Sequence, residues 1–249
     1  MEIVNLTAEN VSQALCCTSY GGYHVGGVEE RRRFLLWKLK DGKVRGKIAV
    51  EGGERRGWID YYPRSDGWIR IGCIEVYKEY RGRGVGRALV NACLEDCRNS
   101  KGAIVAATVW DHMPKAFFKK FGFTDLDEKA DISLMALKYK GDEPPAYEKE
   151  KDYAPKLNLD AGKLVIDMFD DGECPTSYVT KQLVKEAAKD FADKIVIKEH
   201  DTKDRAVIVR FGDVEGMFLD GEKAFFGYPG DLEGIKKILR KKLEDKKLL

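Results

Sequence analysis

No apolar stretch in this chain approaches the ~20 residues that a helix needs to cross a bilayer, and its N-terminus lacks the basic, apolar, small-residue succession of a signal peptide. The expectation is a cytoplasmic protein with no membrane partner. An excess of charge of one sign is missing as well. The 44 basic and 42 acidic residues leave a formal net charge of +2, which gives no reason to expect nucleic acid as a partner. Histidine is scarce, at three residues, and the six cysteines (16, 17, 73, 93, 97 and 174) form no spaced framework. Neither a metal centre nor a disulfide scaffold is therefore expected. Proline is scarce too, and three of the seven fall together as Pro144, Pro145 and Pro155 among glutamates and lysines. Such a stretch reads as a linker. It divides the 249 residues into a domain over 1–140, a linker over 141–161 and a smaller domain over 162–249.

What is present is concentrated around six residues. Arg81-Gly82-Arg83-Gly84-Val85-Gly86 follows the apolar run Ile69–Val76 and leads into Arg87–Leu94. The order is strand, glycine loop, helix, and it marks an anion site: small residues let backbone N–H groups point inward, and the helix N-terminus adds unpaired donors and partial positive charge. A dinucleotide-binding loop needs its third glycine three positions beyond the second, where this chain has Arg87. A nucleoside-triphosphatase loop needs a terminal Gly-Lys-Ser/Thr, and none is present.

Downstream, Ala103–Trp110 is a small and β-branched run of the kind that forms buried strands. Asp111 stands where a helix cap is wanted, Pro114 suits a first turn, Lys115–Phe121 is helical and Gly122 stops it. Phe123 and Thr124 open another strand, and Ile132–Tyr139 is a further one. Upstream, Glu2–Leu6 reads as a strand, Thr7 as the cap of a helix through Ala8–Cys16, and Val28–Leu39 as a second helix. Lys43–Glu51 and Arg56–Tyr62 read as a hairpin around Gly52-Gly53.

Arg-x-x-Gly-x-Gly at Arg81, Gly84 and Gly86, followed one strand later by a helix ending in Gly122-Phe123, resembles the two signatures of the GNAT superfamily of acetyltransferases. A finer resemblance, to the YoaP-type branch, is carried by Gly57–Pro63, Cys73–Val76 and Trp110–Lys115. The fold class implied is α/β (α+β): a GNAT fold with a mixed, splayed central sheet, plus a smaller α/β domain. The activity implied is transfer of an acetyl group from acetyl-CoA to a primary amine, on a small molecule or a peptide, by direct attack in a ternary complex.

The resemblance places the pyrophosphate on the backbone amides of Arg83–Arg87, with Arg81, Arg83 and Arg87 able to add side-chain contacts and Gly82, Gly84, Val85 and Gly86 shaping the loop. It places the pantetheine arm between the open edges Ile74–Val76 and Thr108–Trp110, with Asp111 beside them. Many members carry a tyrosine four residues ahead of the glycine in the second signature, as acid for the leaving thiolate; this chain has Phe118 there. The base needed to deprotonate the amine is assigned to Glu75, the only carboxylate in that strand; the alternatives are a solvent-facing or arginine-paired glutamate and a base made of water relayed to a Glu or Asp elsewhere. The loop Thr18–Gly27 corresponds to the family's acceptor side, so Tyr20, Tyr23 and His24, with Tyr61 and Tyr62 on the hairpin, form a candidate aromatic pocket for a partly apolar or cationic amine, or else cover the sheet. Cys73 is either a nucleophile or a small core residue. Monomer and homodimer both remain open.

Beyond the linker, Lys163–Phe169 reads as a strand, Asp170–Pro175 as a turn, Thr176–Phe191 as a helix, Lys194–Glu199, Ala206–Phe211 and Gly216–Phe218 as strands, and Asp231–Leu243 as a lysine-rich amphipathic helix. This order resembles a thioredoxin-like fold. The dithiol is reduced to Cys174-Pro175-Thr176-Ser177, and no proline stands near Val214-Glu215 where the resemblance expects one. Cys174 is an activated thiol at a helix N-terminus or an inert part of a structural module. The alternative to an acetyltransferase is a thiol-dependent redox or interaction protein whose first domain only binds acyl-CoA.

Overall fold

The structure, a computed structural model, describes residues 1–15, 24–63, 69–98, 105–109, 113–129, 132–137, 160–211, 216–225 and 230–249. The proline-containing stretch 140–156 lies outside them. By its internal contacts the chain divides into two units: Met1–Leu15 with Leu35–Tyr147, and Cys16–Phe34 with Glu148–Leu249.

The first unit is built on strands β1 (Glu2–Asn5), β2 (Arg45–Glu51), β3 (Glu54–Pro63), β4 (Ile69–Val76), β5 (Val105–Val109), β6 (Thr124–Lys129) and β7 (Ile132–Leu137), in the order β1-β2-β3-β4-β5-β7-β6. All neighbours are antiparallel except β4 and β5. Gly52 and Gly53, at φ +60° and +81°, turn β2 into β3 as a two-residue hairpin loop that needs left-handed backbone at both positions. Helix α1 covers His24–Lys40, with its residues up to Phe34 counted in the second unit and those from Leu35 in the first; α2 covers Val85–Arg98 and α3 Lys115–Lys119. Val85, Leu89, Val90, Cys93, Leu94 and Cys97 form the buried stripe of α2, packed with Ile59, Tyr61 and Ile71 of the sheet in one core. Each such side chain contributes about 1.5–3 kcal/mol by leaving water.

The second unit has a four-stranded sheet in the order β11-β10-β8-β9, from β8 (Leu164–Asp170), β9 (Ile195–Asp201), β10 (Gly216–Leu219) and β11 (Glu222–Phe225). Helix α4 (Pro175–Ala188) links the parallel pair β8 and β9, α5 covers Arg205–Phe211 and α6 covers Leu232–Asp245. Leu164, Ile166 and Met168 of β8 pack with Val179, Leu183 and Val184 of α4 and with Ile235, Leu239 and Leu243 of α6. Asp231 starts α6 by accepting the Gly234 amide at 2.7 Å.

Three local expectations are corrected. Over Ala8–Leu15, the described part of the expected helix Ala8–Cys16, there is a single 3-10 turn at Val11–Gln13. Asn10 rather than Thr7 organises it, accepting the Thr7 amide at 2.7 Å and donating to the Asn5 carbonyl at 2.8 Å, which closes a turn instead of opening a helix. The strand over Ala206–Phe211 is α5, started by the Asp204 carboxylate accepting the Ala206 amide at 2.8 Å. The second helix begins at His24 rather than Val28, so His24, Gly26 and Gly27 are helical instead of loop.

Candidate acetyl-CoA site

The strand-loop-helix passage folds as its sequence suggests, with β4 ending at Val76 and α2 beginning at Val85. Gly82 and Gly84 stand at φ +77° and +83°. A Cβ at either would meet nothing within 4 Å, so what glycine supplies here is the left-handed backbone rather than space. Gly86 differs: its Cβ would stand 3.2 Å from Phe117 Cζ and 3.5 Å from Val76 Cγ2. The Ala88 amide donates to the Gly84 carbonyl at 3.0 Å as the helix closes its first turn. The amides of Val85, Gly86 and Arg87 come before it and have no intrahelical acceptor, the condition under which a helix start holds an anion. Arg81, Arg83 and Arg87 are all exposed around this point. Arg81 Nε also donates to the Val76 carbonyl at 3.0 Å, tying the loop to the end of β4, and the Arg83 guanidinium lies 5.7 Å from the centre of the Tyr80 ring.

Beside this cradle the sheet opens. The parallel ladder pairs Ile69, Arg70 and Ile71 with Val105, Ala106 and Ala107, and among the described residues it stops there. On their far sides both strands stay held, β4 by β3 as far as Val76↔Gly57 and β5 by β7 as far as Val109↔Ser133. Ile74–Val76 and Thr108–Val109 thus border a wedge with β-strand hydrogen-bonding groups on its edges.

The wedge begins at an irregularity the sequence reading missed. Register shifts between Asp60↔Cys73 and Tyr61↔Ile71, which leaves Gly72 as the extra residue of a β-bulge. The buried Asp60 carboxylate accepts the Cys73 amide at 3.0 Å and fixes the bulge, and a Cβ at Gly72 would run into Asp60 and the Tyr62 ring. An aspartate amid the apolar run of a strand was the available signal.

Ile74 and Val76 pack against the core under α2, so Glu75 between them projects from the opposite face, half-buried and across from Trp58. Arg55 feels its charge: burial lowers the Arg55 pKa and Glu75 opposes that shift.

Tyr61 and Phe118 are corrections. Tyr61 is fully buried under α2, and its hydroxyl donates to Asp96, which also sits 2.9 Å from Lys47 Nζ. Burial, reinforced by the Asp96 hydrogen bond, pushes the Tyr61 phenol far above its ordinary value. It is a neutral core residue and cannot line an acceptor pocket. Phe118 is likewise fully buried, edge-on to Phe117 and Phe123 at 5.3 and 5.4 Å, which removes it from cofactor contact. Its half-buried neighbour Phe117 is the ring that reaches the cradle at Gly86.

His24 is the first residue of α1, while Tyr20, Tyr23, Trp110 and Asp111 lie outside the described residues. In the second unit Cys174 is half-buried at the N-cap of α4, its Sγ 2.6 Å from Thr176 Oγ1. Among the described residues no group of three or more metal-ligating side chains occurs, and no helix is long and apolar enough to cross a membrane.

Residues 9–123 match the family described as Acetyltransferase (GNAT) family, which supports an acetyltransferase domain of this superfamily over that part of the chain. Enzymes of the family take the acetyl group from acetyl-CoA. Among curated proteins none matches the chain. Similar solved structures include the PaiA N-acetyltransferase of Thermoplasma acidophilum in complex with coenzyme A, at 15% identity and TM-score 0.45 over 56% of this chain and 100% of that one. The ribosomal-protein-alanine N-acetyltransferase of Brucella melitensis is similar at 17% identity and TM-score 0.44, over 56% and 100%. Naa50 of Arabidopsis thaliana with a bisubstrate analogue is similar at 20% identity and TM-score 0.38, over 55% and 98%.

Proposed function

We propose that the protein is an N-acetyltransferase that transfers the acetyl group of acetyl-CoA directly to a primary amine in a ternary complex, with Glu75 as general base. The observation that carries this reading is the coincidence of an anion cradle and an opened sheet: free first-turn amides of α2 end beside a β4–β5 ladder that stops at Ile71 and Ala107. Positive-φ glycines and strand edges that the β4–β5 ladder leaves apart suit a pyrophosphate joined to an amide-containing arm. The amides of Val85–Arg87 would hold the pyrophosphate, and the edges Ile74–Val76 and Thr108–Val109 would hold the arm.

Bound there, acetyl-CoA supplies a thioester carbon that accepts the amine nitrogen as the C–S bond breaks. The amine must lose one proton and the sulfur must gain one, so the exchange balances without an outside acid. Glu75 projects from the sheet face opposite α2 and is suited to accept that proton. With Phe118 in the core, no phenol at that position returns it, and the Glu75 carboxyl or solvent does so. The exposed Arg81, Arg83 and Arg87 add charge around the phosphates. The finer assignments, a YoaP-type enzyme with a thioredoxin-like second domain in the cytoplasm, belong to the same reading. The YoaP-type assignment is supported by Gly57–Pro63, Cys73–Val76 and Trp110–Lys115, and the thioredoxin-like one by the β8-α4-β9 order around the Cys174-Pro175 turn.

The test is coenzyme A release from acetyl-CoA with tyramine, spermidine and a tetrapeptide bearing a free N-terminal amine. Glu75→Gln is expected to lower kcat by about 10²–10⁴-fold while leaving acetyl-CoA affinity within about twofold. Equal kcat in the variant would remove Glu75 from the base role, and silence of the wild type with all three amines would defeat the reading.

A further inference from the structure

Arg55 and Arg56 stand side by side in β3 and meet different surroundings. Arg56 is answered by carboxylates, its Nη1 3.0 Å from Glu54 and its Nε 3.6 Å from Glu51. Arg55 is half-buried and forms no salt bridge among the described residues. Its Nη1 donates to the Gln13 carbonyl, and its guanidinium lies 4.6 Å from the centre of the Tyr77 ring. Both contacts fix the group in place, and neither cancels its charge. Burial takes away part of its hydration and lowers its pKa. A cation held in this state is ready to pair with an anion brought from outside. With Nη1 turned to Gln13, the edge that remains is Nε and Nη2, the parallel pair of donors that a carboxylate takes.

Its neighbours say which carboxylate. Tyr77 follows Val76 in extended backbone, at φ −57° and ψ 143°, and so projects from the same face as Glu75, opposite α2. A guanidinium seated on the Tyr77 ring is a neighbour of Glu75, whose charge acts on Arg55 without a salt bridge closing between the two. The floor beneath is dry. The Tyr77 hydroxyl is buried with no hydrogen-bond partner among the described residues, so charges seated above it are weakly screened. One face of the first unit's sheet thus carries a carboxylate suited to an ammonium and, beside it, a cation suited to a carboxylate.

We propose that the acceptor is a free amino acid, with its amine on Glu75 and its carboxylate on Arg55. The proposal rests on the acetyltransferase reading above, with Glu75 as base. In water the carboxylate of an amino acid helps to keep its own ammonium protonated. A guanidinium on that carboxylate removes the help and eases the passage of one proton to Glu75. The amine nitrogen then bonds to the acetyl carbon and the C–S bond breaks. The products are an N-acetyl amino acid and coenzyme A, whose sulfur regains a proton from the Glu75 carboxyl or solvent.

The test is coenzyme A release with the standard free amino acids, followed by the best of them beside its amide and its decarboxylated amine. Those two keep the amine and the side chain and lack the carboxylate. The wild type is expected to favour the amino acid over both by about 100-fold in kcat/KM, a comparison that needs no variant. Arg55→Met is expected to erase the preference with acetyl-CoA Kd, by calorimetry, within about twofold. Arg55→Lys, which keeps the charge and loses the fork, is expected to restore part of it. An amide used as well as its acid, or tyramine used where no amino acid is, would overturn the carboxylate assignment while the acetyltransferase reading stands. A preference that survives Arg55→Met would overturn the role of Arg55. No release with any amino acid or amine would overturn the acetyltransferase reading, and this assignment with it.

Discussion

Among the described residues each unit contains one parallel strand pair, and the two pairs end differently. In the second unit β8 and β9 stay in register along their whole length, from Leu164↔Ile195 to Asp170↔Asp201. In the first unit β4 and β5 part after Ile71↔Ala107 although both strands continue. A closed parallel ladder satisfies its own backbone and leaves its side chains to pack, whereas an open one offers unpaired amides and carbonyls to a ligand. In the reading proposed above, the open pair serves the chemistry and the closed one serves stability.

The largest effect expected from breaking this contrast is at the open pair's cradle. Gly84→Val places a β-branched residue at φ +83° and should weaken acetyl-CoA binding about 1,000-fold, or ~4 kcal/mol, by calorimetry. Retained affinity would mean that the loop backbone does not hold the pyrophosphate. At the closed pair, Ile166→Ala empties a fully buried position and should lower unfolding free energy by about 3 kcal/mol in a denaturant titration. A loss well under ~1 kcal/mol would show that this sheet face is less tightly packed than the closed ladder implies.

Smaller again is the effect of Gly72→Ala, which presses a Cβ into Tyr62 and Asp60 at the bulge where opening begins. About 2 kcal/mol of stability should be lost, and kcat should fall further than acetyl-CoA affinity, because Glu75 follows the bulge in the same strand. Equal losses in both would place the bulge's influence on the cofactor alone.

The smallest effect concerns pH. Burial alone would raise the Asp96 pKa, but the Tyr61 hydrogen bond and Lys47 prevail and hold it below the ordinary 3.8. A lowered carboxylate stabilises the fold above its unfolded value and loses that contribution as pH falls through the folded one. Stability should therefore decline below about pH 4. In Asp96→Asn it should start about 1 kcal/mol lower at neutral pH and decline less steeply, by denaturant titrations at several pH values. An identical slope would assign the acid sensitivity to other groups.

The cradle and the strand before it were legible because one continuous signal, an apolar run followed by the alternating glycines 82, 84 and 86, specifies strand, turn and helix start within eighteen residues, 69–86. The open edges at 74–76 and 108–109 also match the implied splay. The errors arose where a side chain two or more residues away decides the backbone. Ala206–Phe211 has β-branched composition, yet Asp204 caps it into a helix. Gly26-Gly27 reads as loop from propensity, and only Pro175 and Tyr178, about 150 residues along the chain, explain why a helix keeps glycines there. Tyr61 and Tyr62 were assigned to one pocket although adjacent strand residues face opposite sides, so at most one of them fits it. Phe118 and Phe117 exchanged roles for a similar reason: on a helix a shift of one position turns a side chain from the cleft into the core.

Helix α2 carries the cradle amides at one end and Asp96, bound to Tyr61 and Lys47, near the other. Its 14 residues make a rod of about 21 Å pinned close to its C-terminus by a polar anchor and along its length by its buried stripe. Such a rod resists sliding along its own axis. The height of the amides above the wedge is then set before any ligand arrives, and a phosphate group docked there as proposed would have little receptor disorder to quench.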